Sequence, residues 1–357
     1  MRLILYVGTK RGLFIAHADA LRLGWRFSTP RLEGREVYWA ALDARTGIVW
    51  AATRHAVWGT HIHRSDDLGD TWTVLESTPH HADDRGVAAV WQIAAGPAGN
   101  HRKLYAGIEP AGLFASDDDG RSWRSVDALN QHPTTETWQP AGGALALHSI
   151  AVDPHVDGRL FCAVSAGGVY RSDDSGASWH PKNEGVRADF LPNTRPLAGH
   201  CVHKLLVHPA RAGRLYQQNH CGVYRSDDAG DTWIEITSDL PSDFGYVLAL
   251  DARNPDVAYV VPEESSHMRT TVGGRLIVYR TRDAGASWQP LIHGLPQRNA
   301  YVSLLRDAMA SDRLDPPGIY FGTSSGHVFA SRDGGEGFHV IAEYLPRVLS
   351  VSVVLER

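Results

Sequence analysis

The chain has 357 residues, a formal net charge of −5 at pH 7, and abundant tryptophan, tyrosine and glycine, a composition that favours strands over helices. This slightly acidic balance excludes a surface built to follow phosphates, so no nucleic-acid partner is expected. No apolar run approaches the roughly 18 residues that a membrane-spanning helix needs, so no membrane association is expected.

The first predicted element is a strand that begins at the N-terminus and ends at Gly8. Its apolar run is too short for a signal peptide and lacks a small-residue cleavage site. The chain has three cysteines, Cys162, Cys201 and Cys221, an odd number that argues against a disulfide framework. We therefore expect a cytoplasmic protein. Cys201 and Cys221 either pack as thiols or approach each other as a metal or redox site.

An eight-residue motif recurs along most of the chain. It begins at Ser65, Ser116, Ser172, Ser226 and Thr281, with a degenerate sixth copy at Ser331. The template is Ser/Thr-x-Asp-x-Gly-x-Ser/Thr-Trp, and its central glycines lie 51, 56, 54, 55 and 50 residues apart. This period is typical of one four-stranded propeller blade with its loops.

The motif has the chemistry of a hairpin turn. Its serine hydroxyl and aspartate carboxylate can accept the backbone N–H groups of the turn, and its glycine permits a positive φ. Its tryptophan begins the next strand and buries a large ring. We therefore interpret the central aspartates as structural rather than as calcium ligands: Asp67, Asp118, Asp174, Asp228 and Asp283.

The motif resembles the Asp-box, or BNR repeat, of sialidases, sortilin-type receptors, some xyloglucanases and a photosystem assembly factor. The resemblance covers nearly the whole chain and implies an all-β, seven-bladed β-propeller. It is specific for the fold and almost silent on the function, because functional sites vary independently of a fold.

Two further patterns allow the blades to be counted. A strand pair such as Leu104–Gly107 and the segment from Gly112 precedes each motif, and the same pair occurs at the N-terminus. Predicted first strands of the blades include Val302–Arg306. Residues 347–355 supply the missing first strand of blade one. We therefore predict one propeller domain over residues 1–357, with its ring closed by the C-terminal strand.

The residues that open the predicted first strands point to a candidate site at the channel mouth, opposite the repeated motifs. They are polar-tipped or aromatic, whereas a structural ring would more often carry small residues: Arg347, Tyr38, Trp91, His148, His203, Tyr246 and Tyr301. Neighbouring loops add further candidate ligand-binding residues: His55, Glu109, His220, Glu263, Glu264, His80, His81, Asp83 and Asp84. Convergent loops around such a mouth form a small-molecule or glycan site.

Histidines on blades four and five suggest two kinds of chemistry. His148, His203 and His220 can together hold a divalent metal such as Zn²⁺, Mn²⁺ or Fe²⁺. His148 and His203 can instead act as acid and base beside Tyr246 and Tyr301, in a hydrolase or lyase. The structural alternative is that these side chains only bind channel water and one another.

The resemblance also implies a glycan-acting hydrolase. Glu109 with Glu263 or Glu264 is the candidate carboxylate pair, and aromatic rings can stack on sugar faces. A true sialidase is not expected, because Thr29–Leu32 stands where sialidases carry Arg-Ile-Pro, and no arginine triad can be assigned.

The other interpretation is a non-catalytic binding module. The photosystem assembly factor is similar in size and motif and has no catalysis, but its basic patch has no counterpart among the scattered arginines here. A protein partner is the expectation in that case. A deep polar pocket favours the enzyme, and a flat apolar or basic face favours the partner.

Overall fold

A computed structural model describes residues 2–83, 85–140 and 144–356 of the chain; Asp84, named above, lies outside them. The described residues form seven four-stranded antiparallel sheets, with very little helix. The chain is therefore a seven-bladed β-propeller, as the repeat predicted. In the described part of the chain, no helix has the length and apolar character needed to cross a membrane.

Each sheet is a blade, and we number the blades by the position of their second strands in the chain. Blade one contains β1 (Arg2–Thr9), β2 (Gly12–Asp19), β3 (Arg26–Phe27) and the C-terminal β28 (Val348–Glu356). Blade two contains β4 (Glu36–Asp43), β5 (Ile48–His55), β6 (Gly59–Ser65) and β7 (Thr73–Val74). Blade three contains β8 (Ala89–Ala95), β9 (Leu104–Glu109), β10 (Gly112–Ser116) and β11 (Arg124–Ser125).

The later blades have shorter strands. Blade four contains β12 (Leu147–Val152), β13 (Leu160–Val164), β14 (Gly168–Ser172) and β15 (His180–Pro181). Blade five contains β16 (Val202–Val207), β17 (Leu215–Asn219), β18 (Gly222–Ser226) and β19 (Ile234–Glu235). Blade six contains β20 (Gly245–Leu250), β21 (Ala258–Pro262), β22 (Val278–Thr281) and β23 (Gln289–Leu291). Blade seven contains β24 (Met309–Ser311), β25 (Ile319–Gly322), β26 (Val328–Ser331) and β27 (His339–Ala342). Short helical segments lie at α1 (Asp127–Asn130) and at the 3₁₀ turns Pro133–Thr137 and Val272–Gly274.

The C-terminal strand completes blade one, as predicted. β28 pairs antiparallel with β1, from Arg2 opposite Glu356 to Thr9 opposite Val348. The strand order β28-β1-β2-β3 therefore gives β1 a partner on both sides, which removes an open sheet edge near the N-terminus.

The prediction for the first strand of blade seven was wrong. Val302–Arg306 is irregular, and the strand is β24, which begins at Met309. The backbone N–H groups of Ser303 and Leu304 instead donate to the side chains of Ser324 and Glu263. An N–H group that binds a side chain is not available to a sheet ladder, so the segment cannot continue as a strand.

The chain divides into two compact units, each with its own apolar core. The first unit comprises Met1–Ala41, Gln218–Arg225 and Glu235–Arg357, and the second comprises Leu42–Gln217 and Ser226–Ile234. Buried side chains of the first unit include Leu3, Leu5, Val247, Phe321 and Phe329. Those of the second include Tyr105, Leu113, Leu147, Leu160 and Trp179. That residues 1–357 form a single domain stays a prediction.

The repeated motif forms the hairpin turn between the third and fourth strands of blades two to seven, with the expected hydrogen bonds. In the first copy, Ser65 Oγ accepts the Gly69 N–H at 2.8 Å and donates to Asp67 Oδ1 at 2.8 Å. Asp67 in turn accepts the Thr71 backbone N–H at 2.8 Å and its hydroxyl at 2.6 Å. The central glycines all have positive φ: Gly69, Gly120, Gly176, Gly230, Gly285 and Gly335.

These hydrogen bonds also fix the charge of the motif aspartates. The hydroxyl that each carboxylate accepts is the main cause, and it lowers the pKa of Asp67, Asp118, Asp174 and Asp283 to about 2. The acid therefore stabilises its own turn, which agrees with a structural role.

Candidate functional site

Among the described acidic residues predicted for the site, Glu263 is the most deeply buried. It follows β21 directly, and only 1% of it is exposed. Its Oε1 accepts the Ser303 hydroxyl at 2.8 Å and the Leu304 N–H at 3.0 Å. Its Oε2 is buried and has no hydrogen-bond partner among the described residues. A buried carboxyl oxygen without a partner is unusual in a folded protein, so this oxygen marks Glu263 as a candidate functional group.

Burial raises the pKa of Glu263 to about 7. The Leu304 N–H, the Ser303 hydroxyl and the guanidinium groups of Arg269 and Arg347 oppose this shift without cancelling it. The protonated form of Glu263 is therefore favoured at a higher pH than that of an ordinary glutamate. A carboxyl group of this kind can donate a proton under conditions in which an ordinary glutamate is ionised.

Aromatic side chains and an imidazole lie in the same unit. Tyr246, on β20, is buried; its ring lies edge-on to Phe244 at 5.2 Å and 5.3 Å from the Arg306 guanidinium. The His220 ring also lies edge-on to Phe244, with the two ring centroids 5.1 Å apart. Burial lowers the pKa of His220, against the opposing charge of Asp243, so the neutral imidazole is favoured at pH 7.

Arg347 and Tyr38, both predicted to open first strands, belong to the first unit as well. Arg347 is exposed immediately before β28, and its carbonyl accepts the Lys10 N–H at 3.0 Å. The Lys10 ammonium pairs with Glu36 at 2.9 Å and lies 6.0 Å from the centre of the half-buried Tyr38 ring. This cluster supplies cations and an aromatic face.

Tyr301 does not open a strand, which corrects the predicted ring. It lies in the irregular segment before β24 and is 58% exposed. Its ring packs on Gly274, where an added Cβ would come within 2.8 Å of it. Tyr301 lines a cavity of about 360 Å³ together with His327, Phe329 and other residues of blades six and seven. This volume is near the lower end of the ~300–1,000 Å³ typical of small-ligand sites.

In the second unit, Trp91 holds Glu109. The Trp91 indole N–H donates to Glu109 Oε2 at 2.9 Å, from β8 to the end of the neighbouring β9. This bond orients the carboxylate. Glu109 and Glu263 belong to different units.

His148 is fully buried, and both of its ring nitrogens have protein partners. Nε2 lies 2.8 Å from the Val202 carbonyl oxygen, and Nδ1 lies 3.1 Å from Ser149 Oγ. A histidine used in this way ties β12 to β16 and has no nitrogen left for a metal. We therefore leave His148 out of the functional proposal below.

His203 lies beside a thiol. It is buried on β16, and its Nε2 lies 3.5 Å from Cys201 Sγ. Thiolate and imidazole are both zinc ligands, and this pair would supply two of the four that a structural zinc site requires. All three cysteines are buried thiols outside any disulfide. The metal site predicted from His148, His203 and His220 stays a prediction.

His55 belongs to an exposed hairpin tip of the second unit, between β5 and β6. Its Nδ1 accepts the N–H groups of Val57 and Trp58 at 3.1 and 3.3 Å. Its ring stacks on that of Trp58 at 4.1 Å. Val57 and Trp58 themselves are strongly exposed.

Sequence reasoning missed the residues that complete the Glu263 site. The Ser303 N–H donates to the Ser324 hydroxyl, and the Ser324 N–H donates to the Ser303 carbonyl. Ser324 lies between the cavity residues Thr323 and Ser325. This loop of blade seven occupies the same position between paired strands as the loops that supplied Glu109 and Glu263. Extension of that pattern to blade seven would have found it.

The chain shares part of its sequence with known propeller enzymes. It matches no protein-family model. Over 216 residues it is 24% identical to the oligoxyloglucan-reducing end-specific xyloglucanase of Emericella nidulans. The match covers 52% of this chain but only 25% of the fungal enzyme, so the chain spans about a quarter of the length of that relative.

Two solved structures resemble the fold over most of this chain. The GH74 enzyme of Niastella koreensis has a TM-score of 0.64 at 18% identity and covers 94% of this chain, which in turn covers 51% of that enzyme. YCF48 bound to a D1 peptide has a TM-score of 0.55 at 14% identity, over 86% of this chain and 82% of YCF48. At these identities the likeness concerns the fold.

Proposed function

We propose that this chain is a glycan-acting propeller with hydrolase chemistry, in which Glu263 is the general acid. The observation that carries the proposal is the buried carboxyl group of Glu263, with one oxygen fixed by Ser303 and Leu304 and the other without a partner among the described residues. The Asp-box resemblance and the partial likeness to xyloglucanases support the substrate class.

The proposed step is proton transfer to a glycosidic oxygen. Protonated Glu263 donates from its carboxyl group to the leaving-group oxygen, the bond from that oxygen to the anomeric carbon breaks, and water attacks that carbon. Glu263 is left as a carboxylate, which the cations of Arg269 and Arg347 stabilise. A second carboxylate activates the water or attacks the sugar, and Glu264, the next residue of the same unit, is the candidate for that role.

The test is hydrolysis of defined glycans by the full chain. Purified protein is incubated with xyloglucan, its oligosaccharides and a sialylated oligosaccharide, and released reducing ends are measured. We expect release from neutral glycans and loss of at least 100-fold in Glu263→Gln, in the range that general acid catalysis contributes. Glu264→Gln tests the second carboxylate.

Two results would overturn the proposal. One is the absence of release from every glycan tested. The other is a folded Glu263→Gln variant, verified by circular dichroism, that retains full activity. Glutamine keeps the shape of a protonated glutamate, so loss of folding is not expected in that variant.

A second candidate is a protein-binding propeller, favoured by the exposed Val57 and Trp58 at the β5–β6 tip. A photo-crosslinking amino acid at position 58 would form adducts with a defined protein in the host cell, whereas one at the exposed position of Leu21 would not. Equal adduct patterns at both positions would contradict this candidate.

A further inference from the structure

We infer that the cavity of about 360 Å³ in the first unit is a subsite for one neutral pyranose ring. This inference rests on the proposed function and names the chemical class and position of the sugar that Glu263 would serve. The inference rests on the aromatic rings, the hydroxyl groups and the lack of charged side chains among the described residues of the cavity lining. It also rests on the chain segment that the cavity shares with the Glu263 site.

The walls of the cavity suit the faces of a sugar ring. The Tyr301 ring packs on Gly274, and more than half of the residue is exposed. The His327 ring stacks on the buried Phe329, with centroids 6.3 Å apart and planes 23° apart. A pyranose presents C–H groups on its faces, and aromatic rings bury such surface while their polar tips remain hydrated.

A chain of hydrogen-bonding side chains lies along one wall. Thr323 Oγ1 and Ser325 Oγ lie 3.0 Å apart, and Ser325 Oγ lies 3.1 Å from His327 Nδ1. A hydroxyl group can both donate and accept, as can the hydroxyls of a sugar. These groups therefore match a polyhydroxylated ligand better than a purely apolar one.

The charge of the cavity selects a neutral sugar. Ten described residues line it, and none of them is Asp, Glu, Lys or Arg. A sialic acid or uronic acid would bring a carboxylate without a cationic partner in the lining, which carries a desolvation cost. A neutral hexose or pentose carries no such cost.

The cavity and the acid share one segment of chain. Tyr301 and Val302 line the cavity, and the next two residues, Ser303 and Leu304, hold Glu263 Oε1. The same segment is fixed by Thr271, whose N–H donates to the Val302 carbonyl and whose hydroxyl donates to that of Ala300. A sugar in the cavity is therefore held by the segment that positions the proposed acid.

The test is binding, measured apart from hydrolysis. Saturation-transfer NMR and calorimetry are run on the full chain with methyl glucoside, methyl xyloside and cellobiose, and with glucuronate and N-acetylneuraminate. We expect the neutral sugars to bind in preference to the acidic ones. Tyr301→Ala and Ser325→Ala should each weaken that binding about tenfold or more, whereas Leu21→Ala, which removes an exposed apolar side chain outside the cavity lining, should leave it unchanged.

The outcomes separate the subsite from the catalytic proposal. Binding of neutral sugars that persists in Glu263→Gln and is lost in Tyr301→Ala supports the subsite, even if no glycan is hydrolysed. Stronger binding of the acidic sugars, no binding of any neutral sugar, or neutral-sugar binding that both cavity variants retain would overturn it. Melting curves for each variant exclude loss through unfolding.

Discussion

Glu263 Oε1 accepts the backbone N–H of Leu304 at 3.0 Å, a bond between blade six and the segment that leads into blade seven. It links two features of the first unit. The strand pattern assigned the Leu304 N–H to a sheet, but this N–H donates to the Glu263 carboxylate instead. The first strand of blade seven therefore begins later, at Met309. The same bond fixes one oxygen of the acid with the raised pKa.

The raised pKa of Glu263 makes the stability of the fold depend on pH. Its pKa is about 7 in the folded chain and 4.5 in an ordinary setting, so the folded state binds the proton more tightly. The resulting stabilisation is complete below pH 4.5 and is lost as the pH rises to 7. Relative to Glu263→Gln, the wild type should lose on the order of 3 kcal/mol of unfolding free energy over that interval.

Urea denaturation at pH 4.5, 5.5, 6.5 and 7.5 measures this difference. Glu264→Gln is the matched control. The Glu264 side chain is exposed, and this substitution keeps the buried Glu263 carboxyl group, so the variant should show the same pH profile as the wild type. Parallel profiles for the wild type and Glu263→Gln would show that burial does not raise the pKa of this group.

The repeat made most of the fold predictable, because its turn chemistry is local. The hydrogen bonds of Ser65 and Asp67 that shape the first turn join residues within the eight-residue motif, so each copy marks a hairpin without knowledge of distant contacts. The prediction of the first strand of blade seven was wrong for the opposite reason, because the contacts that decide it are distant in sequence. Its N–H groups bind Glu263 and Ser324, which are 41 and 21 residues away and do not appear in any local pattern.

The candidate site was predictable only as a set of residue types. Glu263, Tyr246 and His220 were found because their positions follow the strand pattern. The same pattern included His148, which is fully buried between Ser149 and the Val202 carbonyl. Burial and partners are tertiary properties, and the residue type alone does not distinguish a structural histidine from a functional one.

A buried ion pair between Arg22 and Asp312 should contribute strongly to the first unit. Arg22 Nε and Nη2 donate to the two carboxylate oxygens at 2.8 and 3.0 Å, and the Tyr320 hydroxyl donates to one of them at 2.8 Å. Arg22→Ala would leave Asp312 buried without its cation and should cost about 3–5 kcal/mol of unfolding free energy.

Chemical denaturation compares this variant with Arg253→Ala. Arg253 pairs with Asp315 at 3.0 Å, but both side chains are more than half exposed, so its loss should cost about 1 kcal/mol or less. Equal losses in the two variants would show that the Arg22 pair contributes no more than a surface pair.

The hydroxyl of Ser172 should stabilise its turn through its hydrogen bonds to Gly176 and Asp174. Ser172 is fully buried and accepts the Gly176 N–H at 2.8 Å. Ser172→Ala leaves that N–H without its acceptor and should cost about 1–3 kcal/mol. Ser172→Thr is the matched control, because Thr281 makes the equivalent bond to Gly285 at 2.7 Å in a later copy. A threonine variant as unstable as the alanine variant would assign the effect to packing rather than to the hydroxyl.

The C-terminal strand should be indispensable to the first unit. β28 pairs with β1 along its length, and the Val351 N–H donates to the Asp307 carbonyl at 2.7 Å. Deletion of residues 346–357 removes the buried Val348, Leu349 and Val351 and leaves β1 with an open edge, so the melting transition of the first unit should disappear.

Calorimetry and hydrogen exchange of the β1 amides measure the effect of this deletion. Glu356→Ala is the control, because its partly exposed pair with Arg2 at 2.7 Å should contribute about 1 kcal/mol or less. A truncated chain that keeps the wild-type melting temperature would show that β1 is stable without β28, because the remaining contacts of β1 would then suffice to hold blade one together.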